Sequence, residues 1–100
     1  MTISSEEARK AMEEEDGYVI LDVRTKEEYL EGHIKDAVNI PNEVIAEDAE
    51  TILKDKDQKI YVYCRSGRRS KEACKKLAEL GYRKVIDFGG ILDWKGEIVQ

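Results

Sequence analysis

Short, nearly continuous apolar runs alternate along the chain with stretches where apolar residues recur every three or four positions. The runs YVILDV (18–23), AVNI (37–40), IYVYC (60–64) and KVIDF (84–88) are rich in β-branched and aromatic residues. Such runs suit strands buried on both faces. A further strand fragment is expected around Ile3. Between the runs, Ser4 with Glu7 and Thr25 with Glu28 each form the serine/threonine–glutamate pattern of a capping box. The first box opens a helix that turns Ala8, Ala11 and Met12 to one side and ends by Gly17. The second opens a short helix through Tyr29 and Leu30 that stops at Gly32. Asn42 is placed to cap a helix with Val44, Ile45, Ala49, Ile52 and Leu53 as its apolar set. The segment KEACKKLAELGY (71–82) puts Ala73, Cys74, Leu77, Ala78 and Leu80 on one face, with Gly81 just past the end. GGILDWKG (89–96) reads as a short terminal helix or turn.

Strands alternating with helices predict an α/β fold with a mostly parallel sheet covered on both faces. One hundred residues make one domain, 1–100, with no room for a second. In such sheets chemistry gathers beyond the carboxyl ends of the strands. Three polar clusters fall there: Asp22 to Arg24, Cys64 to Ser70, and Asp87 to Gly90.

Composition narrows the function. The net charge of −5 disfavours non-specific binding to nucleic acid or a membrane surface. The longest stretch without a charge is Ala37 to Asn42, far short of the ~20 apolar residues of a membrane span, and the N-terminus carries no apolar signal core. A cytoplasmic monomer is expected. Two cysteines, Cys64 and Cys74, are too few for a disulfide scaffold and are expected reduced. They do not form a CxxC pair, and a single histidine makes a zinc site unfounded.

The segment CRSGRRS (64–70) changes the picture most. Cys64 closes an apolar strand, and a helix is expected to begin near Ser70. A cysteine at that junction faces successive backbone N–H groups and a helix N-terminus, both of which stabilise negative charge. Arg65, Arg68, Arg69 and Lys71 add four positive charges with no acid among them. These surroundings favour a nucleophilic thiolate over an anion-inert thiol. Gly67 lets the backbone curl around an anion, and no GxxxxGK[ST] phosphate loop is present.

These segments resemble a single-domain rhodanese, a sulfurtransferase. The matching pieces are LDVRTKEEYLEGHIKDAVNIP (21–41), YVYCRSGRRS (61–70), KEACKKLAELGY (71–82) and VIDFGGILDW (85–94), in the family's order and over most of the chain. The resemblance implies a three-layer α/β/α sandwich around a five-stranded, mostly parallel sheet. Its strand order is 3-2-4-5-1, counted from the strand at Ile3, so the clusters at Asp22 and Cys64 share one rim. It implies that Cys64 takes a sulfane sulfur from thiosulfate or a similar small anionic donor and holds it as a persulfide. A thiophilic acceptor, cyanide or the thiol of a small molecule or protein, then removes it. The substrate-binding loop would be Arg65, Ser66, Gly67, Arg68, Arg69 and Ser70, with Arg68 pointing outward and Arg69 anchoring the loop. No metal or organic cofactor is required.

The resemblance also implies supporting roles. Asp22, Arg24 and Glu28 would position the cysteine loop through ion pairs and hydrogen bonds. His33, in the family's GHI element, would be structural. Cys74 reads as a small core residue, Tyr61, Tyr63 and Trp94 as packing residues, and the run Glu13 to Asp16 as a solvated helix end. Gly89 and Gly90 would let their turn pass close to the cysteine loop. Other readings remain: a persulfide carrier in a protein relay, a phosphatase of the related cell-division-cycle type, or a non-catalytic regulatory module. The related phosphatases carry an arginine six positions after the cysteine, where this chain has Ser70. Idle modules usually lack the cysteine, which is present here as Cys64.

Overall fold

The computed structural model describes residues 1–100. Helix α1 (Ser5–Glu14) leads into strand β1 (Val19–Asp22), followed by α2 (Lys26–Glu31), β2 (His33–Ile34) and β3 (Val38–Asn39). A 3-10 turn at Asn42–Val44 precedes α3 (Ile45–Ile52), then come β4 (Ile60–Cys64), α4 (Arg68–Glu79), β5 (Val85–Gly90), a second 3-10 turn at Ile91–Asp93, and β6 (Ile98–Val99). Both expected capping boxes are closed in both directions: Ser4 with Glu7, and Thr25 with Glu28.

The main sheet is parallel in the order β3-β1-β4-β5. The expected order holds, but the strand count does not. The stretch near Ile3 contributes only an isolated parallel bridge, Thr2 to Asp87, so the fifth strand reduces to one pairing at the edge of β5. A second sheet, antiparallel β2 with β6, was not foreseen. Two-residue strands leave almost no alternation to read.

Alternation along the central strands builds two cores. Leu21, Ile60, Val62 and Cys64 face α3 and α4, joined by Ile45, Ala49, Ala73 and Leu77. Ile20, Tyr61, Tyr63, Ile86 and Phe88 face the other side, where Ala8 of α1 seals against them. All of β4 is buried, as its unbroken apolar run requires. Each fully buried Leu or Ile contributes about 1.5–3 kcal/mol relative to exposure.

Four local expectations are corrected. Asn42 caps nothing: its side-chain amide donates to Glu72 at 3.0 Å and its carbonyl oxygens receive Lys76, which pins the 3-10 turn to α4. Ile52 is half exposed, and Ala78 on α4 faces solvent, so both leave the apolar sets assigned to them. The helix expected to begin near Ser70 starts two residues earlier, at Arg68. The run Glu13 to Asp16 is exposed, as expected, and Glu15 in addition receives Lys59 and the Tyr61 hydroxyl on its carboxylate.

Candidate active site

Cys64 ends β4 and is 1% exposed. The next three residues turn sharply, and Gly67 sits at φ 113° immediately before α4. That left-handed backbone is costly for any residue with a Cβ. It aims the Gly67 N–H back at Cys64, where it donates to Sγ at 2.9 Å. No side chain caps α4, so the N–H groups of its first turn stay open above the thiol.

The end of β5 lies alongside this loop. The β4–β5 register slips opposite Cys64, with Val62 paired to Asp87 but Cys64 to Gly90. This bulge brings Gly90 against the loop. A Cβ at Gly90 would overlap the Arg65 carbonyl and lie 2.7 Å from Ser66 Cα, so only glycine fits, as the sequence suggested.

The loop is held from two sides. On one, Arg69 reaches across to α2 and makes a two-pronged ion pair with Glu28, Nη1 to Oε1 at 2.7 Å and Nη2 to Oε2 at 3.0 Å. Arg69 is therefore tied to Glu28 and is unavailable to substrate while so bound. On the other, Ser70 is fully buried and its hydroxyl donates to Asp87 Oδ1 at 2.7 Å. Its side chain thus leaves the binding set. Arg65, Ser66 and Arg68 are exposed.

Asp22 and Arg24 make no hydrogen bond or ion pair with residues 65–70, so they do not hold the loop directly as assigned. Asp22 is fully buried and receives the Arg24 backbone N–H, its guanidinium (Nη2 to Oδ2 at 2.7 Å) and the Tyr63 hydroxyl at 2.7 Å. Arg24 Nη2 also donates to the Gly32 carbonyl. The pair locks the end of β1 to β4 and to the start of β2. Tyr63, read as plain packing, is the hinge of this network: it also receives the Ile34 N–H, and burial together with the Asp22 charge pushes its phenol well up. Glu28 belongs to the loop's anchor instead. His33 stacks on Tyr29 at 3.7 Å and donates from Nδ1 to the Tyr29 carbonyl at 2.8 Å, a structural placement. Trp94 packs on Phe88 at 5.5 Å in the α1-side core.

The residue that sequence reasoning underused is Asp87. It is 3% exposed and takes both the Ser70 hydroxyl and the Gly89 N–H on one oxygen. It stands in the third polar cluster, but its pairing with Ser70, seventeen positions away, exists only once α4 packs against β5.

A profile of the rhodanese-like domain family matches residues 4–97. The chain belongs to the rhodanese-like domain family. Among its relatives, the thiosulfate sulfurtransferase PspE of Escherichia coli (strain K12) is 40% identical over 73 residues, covering 73% of this chain and 70% of the relative. A sulfurtransferase of Allochromatium vinosum is 37% identical over 93 residues, covering 92% and 85%. Among solved structures, a rhodanese with anions from E. coli aligns with a TM-score of 0.78 at 36% identity, over 83% of this chain and 98% of that one. No helix of this rhodanese-like chain is long and apolar enough to cross a membrane.

Two predictions arise from the site's flanks. Arg69, aided by the Thr25 N–H, holds the Glu28 carboxyl down at about 2 from its usual 4.5, against the opposing pull of burial. A depressed folded value contributes stability above the unfolded value that is lost as pH falls toward the folded one. Glu28→Gln is therefore expected to melt below the wild type at pH 6, with the gap closing between pH 4.5 and 2. A gap that stays constant with pH would show that the ion pair contributes nothing.

Burial pushes the Cys74 thiol up to about 12, with the Asp87 charge adding to it. Cys74 stays protonated at neutral pH and packs against the α4-side core. Cys74→Ala is expected to keep full sulfur uptake and to lose about 1–2 kcal/mol in urea unfolding. Loss of uptake would give Cys74 a chemical role.

Proposed function

We propose that the domain is a sulfurtransferase that moves a sulfane sulfur from thiosulfate or a similar anionic donor to a thiophilic acceptor through a persulfide on Cys64. The observation that carries this reading is the setting of Cys64: a buried sulfur under the Gly67 N–H and the uncapped first turn of α4, beneath two exposed arginines. The Cys64 thiolate attacks the outer sulfur of thiosulfate. The S–S bond of the donor breaks, and sulfite leaves with the electron pair. The new persulfide carries its negative charge toward the N–H groups of the α4 first turn, which stabilise it without reorganising. An acceptor nucleophile then attacks the terminal sulfur, and the Cys64 thiolate returns as leaving group. Two half-reactions through one covalent intermediate give ping-pong kinetics.

Arg65 and Arg68 draw in the anionic donor, while Glu28, Arg69, Ser70 and Asp87 keep the loop in shape. The chemistry needs no metal or organic cofactor. In this reading the protein works as a cytoplasmic monomer. The test is intact mass spectrometry before and after thiosulfate, followed by peptide mapping. A gain of one sulfur on the peptide carrying Cys64, removed by cyanide, is the expected result. Uptake on the peptide carrying Cys74, or on neither, overturns it.

A further inference from the structure

The end of β5 and the cysteine loop pass side by side. Ser70 meets Asp87, Gly67 lies against Gly89, Ser66 against Gly90, and the Leu92 N–H reaches the Arg65 carbonyl at 3.4 Å. The two ends of this seam differ in character. At the Gly67 end lies a recess of about 370 Å³, whose lining includes Ser66, Gly67, Arg68, Lys71, Asp87 and Gly89. At the Arg65 end, Leu92 stands 64% exposed on the 3-10 turn. Cys64 lies beneath the loop between them.

The positive charges at this seam have no acidic partner within the chain. Four of the six arginines are ion-paired, namely Arg9, Arg24, Arg69 and Arg83. The two without an acidic partner, Arg65 and Arg68, are both in the loop. Lys71 has no acidic partner either, and it is exposed beside the recess. In a chain of net charge −5, three free cations around one mouth await an acid from elsewhere. A donor such as thiosulfate uses positive charge but has no use for an exposed leucine.

We propose that this seam docks an extended segment of a protein acceptor, in which the receiving cysteine lies between an acidic and an apolar residue, each two positions away. The inference rests on the reading of Cys64 given above. Leu92 lies five positions after Asp87, at most about 16 Å of extended chain. In an extended segment, positions i, i+2 and i+4 face the same way and span about 13 Å. The acid then meets Arg68 and Lys71 at the rim of the recess, since Asp87 on its floor is buried and engaged. The apolar side chain covers Leu92, and the cysteine between them faces the loop. Its thiolate, having lost its proton to solvent, attacks the outer sulfur of the Cys64 persulfide. That S–S bond breaks, Cys64 recovers its thiolate with the electron pair, and the acceptor leaves as the persulfide.

Blocked heptapeptides test this. The parent is Ala-Glu-Ala-Cys-Ala-Leu-Ala, with one variant carrying Lys for Glu and another Ser for Leu. Persulfidated protein at low ionic strength is expected to transfer sulfur to the parent about tenfold faster than to either variant. Lys71→Glu should reverse the preference for Glu over Lys. Lys75→Glu, one turn further along α4 and outside the recess, should not. Equal rates for the three peptides overturn the docking surface, as does an effect of Lys75→Glu as large as that of Lys71→Glu, which would reveal only a general field. A second readout separates this proposal from the one it rests on. Fluorescence anisotropy follows binding of labelled peptides with Ser in place of Cys to the protein carrying no persulfide. The same discrimination in binding, without sulfur transfer, supports the docking surface and overturns the role of Cys64. Transfer without discrimination does the reverse.

Discussion

Cys64→Ser is expected to lower thiosulfate–cyanide turnover by about a thousandfold or more while leaving the melting temperature nearly unchanged. The asymmetry follows from the site. Serine fits the space of a cysteine, and its oxygen can accept the Gly67 N–H that now reaches Sγ at 2.9 Å, so the loop keeps its conformation. A serine hydroxyl stays protonated without a base beside it, and no side-chain base hydrogen-bonds Cys64, whose one such partner is the Gly67 N–H. Removing a covalent nucleophile costs orders of magnitude in rate. Loss of one hydrogen-bond partner, by contrast, shifts stability by about 0.5–1.5 kcal/mol, and here the partner is replaced. Turnover retained above about a tenth would mean that another group carries the sulfur. A large fall in melting temperature would mean that Cys64 serves mainly as packing in the α4-side core.

The parts of this molecule that sequence reveals are those fixed by neighbours. The capping boxes at Ser4 and Thr25 close within three residues, and the apolar run of β4 fixes its own burial. The loop from Cys64 to Arg69 is similarly local, because a strand end, a glycine at φ 113° and a helix start follow one another without interruption. What was misread depends on partners distant in sequence. Asp22 and Arg24 looked like supports for the loop, but Tyr63 and Gly32 claim them once β1 lies beside β4. Glu28 looked like their companion, yet α2 turns it to Arg69, forty-one positions on. The expected cap at Asn42 failed for the same reason, since Glu72 and Lys76 on α4 outcompete the local backbone for its amide. The register slip opposite Cys64 leaves no mark on composition, although the paired glycines at 89 and 90 hinted that two backbones meet there.

Asp22→Ala is expected to destabilise the fold by about 3–5 kcal/mol, through the buried charge of Arg24 left without its partner. Arg24 is 6% exposed, and its guanidinium spends its contacts on Asp22 and the Gly32 carbonyl. Removing the carboxylate leaves that cation buried with one carbonyl, and the Tyr63 hydroxyl loses its acceptor as well. For a domain of this size the loss corresponds to a fall on the order of 20 °C in melting temperature. The mechanism can be told from a simple cavity effect. If the cost is the uncompensated charge, the double variant Asp22→Ala with Arg24→Met should be more stable than Asp22→Ala alone, since an apolar side chain in the same space carries no desolvation penalty. A double variant less stable than the single one would show that Arg24 stabilises chiefly through its bond to Gly32, which ties β1 to the start of β2. Because neither residue bonds to residues 65–70, persulfide formation per folded molecule should survive in both variants at a temperature where each is folded. That separates the frame of the sheet from the apparatus around Cys64: the first sets how much protein is folded, and the second sets what the folded protein does.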